Sequence, residues 1–216
     1  MLNMDFSKPL VIDTANMAWV SSPSPMVLRK PLEREAAESG HVTSVVQYLP
    51  QSSFTQHSHP LGEEIFVLEG VFSDETGDYG PGTYLRNPPS SAHTPFSQPG
   101  CIILVKLNQF QADDSRFVRV NTLVTPWQAG IDGAQVMPLH EFKGEQVALM
   151  KWPVGVACQP CCLVGAAEVL VLSGSLKDEH GCYPKRTWLR SSDVSQYRPA
   201  IEEETVIWIK TGHVPR

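Results

Sequence analysis

Apolar positions in this chain fall in short runs rather than at helical spacing. The runs are TSVVQYL (43–49), EIFVLEG (64–70), GTYLR (82–86), CIILVKL (101–107), RFVRVNTLV (116–124), EVLVLSG (168–174), TWLR (187–190) and TVIWIK (205–210). Runs of this length, rich in β-branched and aromatic residues and bounded by turn formers, read as strands. Eighteen prolines and fifteen glycines supply the breaks between them. The pattern predicts an all-β sandwich or barrel. LEREAAESG (32–40) departs from it and reads as a helical turn or a mobile loop.

The runs also recur. Sliding the chain by 104 positions lays 62–95 on 166–199 without a gap, and thirteen of the thirty-four positions are identical. Chance at ordinary composition gives about two. The shared positions include Glu64 with Glu168, Gly70 with Gly174, Asp74 with Asp178, and Leu85-Arg86 with Leu189-Arg190. Trp19 and Trp127 match at an offset of 108, so the second copy is four residues shorter between these blocks. The chain is a tandem duplication with its seam near QADDS (111–115), which predicts domains at 1–112 and 113–216.

Composition narrows the functional classes. The 216 residues suffice for one large domain or two small ones. A net charge of −6 and a pI near 5.6 argue against a duplex-DNA binder, which needs a basic footprint. No apolar run approaches the ~20 residues of a membrane span, and MLNMDFSKPLVID lacks the basic flank and apolar core of a signal peptide. The expectation is a soluble, cytoplasmic protein without nucleic-acid or membrane partners. Five cysteines, an odd number without an export signal, read as reduced thiols.

Chemistry concentrates in QHSHPLGEEIFVLEG (56–70). His57 and His59 are two apart, so on a strand both imidazoles point to one face. Glu63 follows the turn-like PLG, and His93 arrives from a later hairpin in RNPPSSAHTPF. Three imidazoles and one carboxylate can hold one divalent transition metal with positions left open: iron, manganese, nickel, copper or zinc. Such ligands must be neutral imidazole and ionised carboxylate, so binding weakens at acid pH.

These residues resemble a known family. HSHPLGEEIFVLEG matches the first cupin motif, H-x-H-x3-E-x6-G, at His57, His59, Glu63 and Gly70. GPGTYLRNPPSSAH is similar to the second, P-x-G-x2-H, at Pro88, Ser90 and His93, with Ser90 where glycine is usual. Over 54–108 the chain resembles the cupin module of ChrR-type anti-sigma factors; the second half shares the resemblance through the repeat. It implies a tandem double-stranded β-helix, a pair of jelly-roll barrels, hence a bicupin. It further implies one bound ion per chain, zinc in that module, on His57, His59, Glu63 and His93. Fe(II), manganese and nickel are the other ions expected. ChrR-type proteins bind their sigma factor through an N-terminal zinc domain with an H-x3-C-x2-C motif, and no cysteine precedes Cys101 here. A sigma-factor partner is therefore not expected. The implied function is a module that senses a small ligand or reactive oxygen. The alternative is a mononuclear non-haem dioxygenase acting on a small ketone or diketone, and a scaffold bicupin with an incidental metal is a third reading.

The second copy lacks the set. At the 104 offset the four ligand positions become Cys161, Leu163, Ala167 and Tyr197, so no metal is expected there by this route. Cys158, Cys161, Cys162, His180 and Cys182 contain half of a zinc-site spacing, though small buried thiols are the preferred reading. Phe54, Phe66, Tyr84 and Phe96 are candidates to line a pocket at the metal. Glu64, Arg86 and Arg190 recur between copies and read as structural. His41, His140 and His213 receive no role. SDETGDYGPG (73–82) reads as a tight turn rather than a calcium loop, with Gly77 at positive φ. A homodimer through exposed edge strands is a further expectation.

Overall fold

The computed structural model describes residues 1–156, 165–195 and 197–213, and among these every regular element is a strand. No helix of the described residues is long and apolar enough to cross a membrane. Two compact units form: Met1–Met4 with Ala18–Thr125, and Asp5–Met17 with Pro126–Arg216.

Each unit is built on a seven-stranded antiparallel sheet. In unit 1 the order is Val118–Asn121, Thr83–Asn87, Glu63–Gly70, Cys101–Leu107, Val42–Tyr48, Val27–Arg34 and Val20–Ser21. Unit 2 repeats it as Leu10–Asp13, Thr187–Ser191, Ala167–Ser173, Thr205–Thr211, Glu145–Trp152, Gln135–Phe142 and Gln128–Ala129. Shorter strands supply the facing side of unit 1: Ser52–Ser53, Phe96–Ser97, Phe72–Asp74 and Gly77–Tyr79, plus the pair His57–His59 and Ser91–His93. This is the all-β, tandem double-stranded β-helix architecture that the strand pattern, the repeat and the resemblance together led us to expect.

The units do not follow the seam of the repeat. Leu10–Asp13, at the start of the first copy, pairs with Thr187–Ser191 in unit 2, while Val118–Asn121 pairs with Thr83–Asn87 in unit 1. The two slots match residue for residue: Asp13 faces Thr187 as Asn121 faces Thr83. Thr14 and Thr122 donate to the equivalent carbonyls of Arg186 and Gly82. Each copy's leading strand thus completes the other copy's sheet, and residues 113–125 lie in unit 1 rather than in unit 2. Strand pairing runs through main-chain groups, so an edge slot accepts either copy's strand equally well. Of the helical turn or loop expected at 32–40, the helical turn does not form: Leu32–Arg34 complete a strand, and 35–40 are bends.

Alternation gives each sheet two buried faces of different character. Towards the interior of unit 1 point Tyr48, Ile65, Val67, Phe72, Leu85, Ile103 and Val105. Their equivalents in unit 2 are Trp152, Val169, Val171, Leu176, Leu189, Ile207 and Ile209. The opposite face carries ionic pairs. Arg86 meets Asp114 at 2.7 Å and Glu64 at 3.5 Å, and Tyr84 donates to Glu64. In unit 2 Lys210 meets Glu145 at 3.0 Å and His213 meets Glu168 at 2.6 Å. Charges buried this deeply persist because they are paired. Gly70 and Gly174 share φ 69, and a Cβ at either would strike a neighbouring carbonyl oxygen, Gly100 or Glu204.

Candidate metal centre

The two short strands of unit 1 that carry the histidines pair antiparallel, with His93 opposite His57 and Ser91 opposite His59. Directly opposed residues share a face, and so do i and i+2. Register alone therefore gathers three imidazoles. Their ring centroids lie 4.8, 4.9 and 5.1 Å apart, and one ligand atom from each falls within 4.8 Å of the others. The turn at 60–62 then redirects the chain. Gly62, at φ 80, leaves space for the Phe110 ring, and Glu63 begins the next strand pointing inward. Its Oε2 lies 3.4 Å from Nε2 of both His59 and His93, which are themselves 2.9 Å apart.

The separations among His59, His93 and Glu63 fit a shared ion, and the group in which every donor lies near every other is the three histidines. Donors about 2.1 Å from one metal stand about 3.0 Å apart at right angles and about 3.4 Å apart at the tetrahedral angle. The outer nitrogens are occupied: His57 Nδ1 faces the Thr55 carbonyl at 3.0 Å, and His93 Nδ1 faces Asp74 Oδ2 at 3.4 Å. Those contacts select the tautomers whose Nε2 lone pairs point to the centre. Asn87 donates to Glu63 Oε2 at 2.9 Å. Arg119 donates to Asn87 Oδ1 at 2.7 Å and stands 3.9 Å from Asp74. One guanidinium therefore braces both the carboxylate and the histidine arms, and it comes from the strand that the second copy contributes.

Electrostatics distinguish the histidines. Burial holds the His59 pKa below its ordinary value; Glu63 opposes this, and the other two histidines add to it. Burial also opposes charge on His93, but the Asp74 hydrogen bond and the Glu63 charge raise its pKa overall. At Asp74 burial works against ionisation, yet hydrogen bonds from His93 and Thr76 and the Arg119 charge bring its pKa down to about 2. Burial and the Glu63 charge push the Tyr48 phenol well above its ordinary value, so it stays protonated.

A cavity of about 530 Å³ opens beside the cluster, with His57, His59 and Glu63 in its wall. Of the four aromatic candidates, only Phe54 lines it, 5.7 Å from the His57 ring. Phe66 and Tyr84 face each other across the strands on the opposite side of the sheet, where Tyr84 bonds Glu64. Phe66 is three residues from Glu63, an odd step that reverses the face. Phe96 pairs with Ser53 and Ser73, about one-third exposed (36%), away from the cavity wall. Tyr48, which lines the cavity, and Phe72, 6.1 Å from His93, are the aromatic neighbours that the sequence reading overlooked.

Asp74, Asn87 and Arg119 were also overlooked. For two of them a signal existed: Asn87 becomes Ser191 and Arg119 becomes Val11 in the other copy, changing together with the ligands. His41 bonds Glu33, His213 bonds Glu168, and His140 is buried. In the 73–82 turn, Asp74 caps Thr76 and Gly77 has φ 153. Cys101 is buried, its pKa pushed up to about 11 by burial, and Cys182 is exposed; neither is bridged. Cys158, Cys161, Cys162 and Leu163 lie outside the described residues. Among the described residues, the histidine triad is the one group of three or more ligand-type side chains that converges as a metal site.

Two tandem double-stranded β-helices, one presenting a histidine triad able to hold a metal, define a bicupin. The sequence profile of the ChrR Cupin-like domain matches residues 7–111 and again 115–215, and the chain belongs to that family. Against curated proteins the chain finds no significant match. Solved structures share its fold. A presumptive dioxygenase from Nostoc punctiforme superposes with TM-score 0.78 at 16% identity, over 97% of this chain and 85% of that one. The pirin YhhW of Escherichia coli, in complex with nickel(II), gives 0.68 at 10% identity over 96% and 100%. Salicylate 1,2-dioxygenase from Pseudaminobacter salicylatoxidans gives 0.57 at 10% identity over 79% and 70%. Identities this low establish likeness of fold alone.

Proposed function

We propose that the first barrel holds one divalent transition ion on His57, His59, Glu63 and His93, and that the protein is a small-molecule-responsive sensing module built on that centre. The observation that carries this reading is a converged histidine triad, two of its rings oriented through Nδ1, beside a cavity large enough for a small ligand. Zinc is the ion this reading assigns. When bound, a divalent ion supplies a Lewis acid and, if redox-active, a centre for oxygen chemistry. The chain's own residues hold the donors in their binding state: Asn87 keeps the Glu63 carboxylate placed, and Asp74 and the Thr55 carbonyl orient two rings. Tyr48, protonated at neutral pH, offers a donor to whatever enters.

A dioxygenase is the second reading. Two of the fold neighbours are described as dioxygenases, and a three-histidine, one-carboxylate set leaves positions open for substrate and oxygen. Elemental analysis of protein purified without chelator or nickel resin, followed by oxygen-uptake assays after Fe(II) loading, separates the two. Retained zinc and no uptake across a panel of ketones and diketones supports the sensor. Uptake with any member supports the enzyme, and protein that never takes up metal removes both.

A further inference from the structure

The far wall of the unit 1 cavity carries cations. Val42–Tyr48 turns Val42, Ser44, Val46 and Tyr48 inward, all in the cavity wall. On the neighbouring strand Arg29 lies opposite Val46 and Arg34 opposite Val42. Five residues apart, the two arginines would face opposite ways on a regular strand. A bulge between Pro31 and Glu33 restores the parity and brings both into the cavity. Arg34 also shares a rung with the metal donors: Glu63 pairs with Leu107, Leu107 with Val42, and Val42 with Arg34. Three strand spacings separate them, roughly 14 Å along the curved sheet.

This cationic end is incompletely satisfied. One carboxylate, Glu38, serves both guanidinium groups, at 2.7 Å from Arg29 and 3.9 Å from Arg34, and Arg34 Nη1 also donates to the Ala37 carbonyl. Glu38 binds Arg29 through both oxygens, at 2.7 and 3.1 Å, from an exposed position. Arg34 Nε has no partner among the described residues, and neither has the hydroxyl of Ser44, a residue 1% exposed. The second copy keeps the bulge, at Pro138 and His140, yet loses every one of these groups. By strand register Arg29 becomes Val136, Arg34 becomes Glu141 and Ser44 becomes Ala148. The polar wall disappears from the copy that also loses Glu63 and His93, so it belongs to what the first barrel binds and not to what either barrel needs to fold.

We propose that this cavity takes a small molecule with a carboxylate on an apolar body, Arg29 and Arg34 receiving the carboxylate in place of Glu38. Ser44 and Arg34 Nε supply the free hydrogen bonds, Tyr48 and Phe54 flank the apolar body, and the far end of the ligand meets the histidine cluster. Only that last contact rests on the metal reading above. An incoming carboxylate replaces one bidentate arginine–carboxylate pair with another of the same kind, so the exchange is reversible, and the planar guanidinium fork suits a carboxylate particularly well.

The test is calorimetric titration of acetate, phenylacetate, 3-phenylpropionate and 4-phenylbutyrate, each beside its neutral amide, with metal content measured on the same samples. At least one acid is expected to bind tenfold or more tighter than its amide. Arg29→Gln and Arg34→Gln should abolish that difference, and Glu38→Gln, on the exposed side, should strengthen acid binding several-fold. Equal binding of acids and amides, no binding of either, or weaker acid binding in Glu38→Gln would overturn the assignment. Discrimination in protein that never takes up metal upholds the carboxylate site and overturns the metal centre; bound metal without discrimination does the reverse.

Discussion

The equivalent inner ends of the two barrels make an internal control. In unit 1 the rung Asn87–Glu63–Leu107 carries a candidate ligand and its hydrogen-bond donor; in unit 2 the same rung reads Ser191–Ala167–Thr211. His93 becomes Tyr197 and the bracing Arg119 becomes Val11. Asp74 is retained as Asp178, but there it accepts from the Tyr183 hydroxyl at 2.9 Å instead of orienting a histidine. On the other face of the sheet Glu64, Arg86 and Lys106 recur unchanged as Glu168, Arg190 and Lys210. A buried ionic layer that survives without the donors is a requirement of the fold. The candidate donors change together with Asn87 and Arg119, while Asp74 stays and takes another partner, which ties the changed residues to the chemistry.

Removing ligands should separate the copies most sharply. His59→Ala or His93→Ala is expected to take metal content from about one ion per chain to near zero by elemental analysis, whereas Tyr197→Phe should leave it unchanged. The ionic layer should respond in the opposite sense. Arg86→Ala in unit 1 and Lys210→Ala in unit 2 each remove a cation from a fully buried pair, and each should cost about 3–5 kcal/mol in urea unfolding. Comparable losses in both copies would mark the layer as common framework.

The supporting shell comes next in size. Asn87→Ala and Arg119→Ala should weaken metal affinity about 10–100-fold in a chelator competition, while Ser191→Ala changes nothing. Acidification acts through the same groups. Metal binding needs neutral imidazole, so affinity should fall by about tenfold per pH unit once pH drops below the raised pKa of His93, and more steeply when His59 also protonates. Asp74→Asn removes the carboxylate charge that helps raise His93, so the onset should move to lower pH in the same titration. Smallest is Ser90→Gly. Ser90 has φ 67, a conformation glycine adopts freely, and the change should alter stability by no more than about 1 kcal/mol, on the stabilising side.

Much of this was legible because strand periodicity is simple. Two histidines two apart must share a face, and the repeat announced two barrels. Glu63 and His93 needed only a turn and a hairpin to join them. Phe66 and Tyr84 went to the wrong face although parity with Glu63 already excluded Phe66. Arg119 differs between the copies, but the exchange of strands that brings it to the first barrel was not legible, because main-chain pairing does not reveal which copy fills an edge slot. The inward turn of Arg34 was hidden by a bulge, which leaves no clear mark in the run KPLER (30–34).

The central claim is that one ion sits in the first barrel and none occupies the equivalent place in the second. An anomalous-difference map from crystals of the metal-loaded chain tests it directly. The account predicts a single strong peak per chain within bonding distance of His57, His59, Glu63 and His93. A peak beside Ala167 and Tyr197, or no peak among the three histidines, would contradict it.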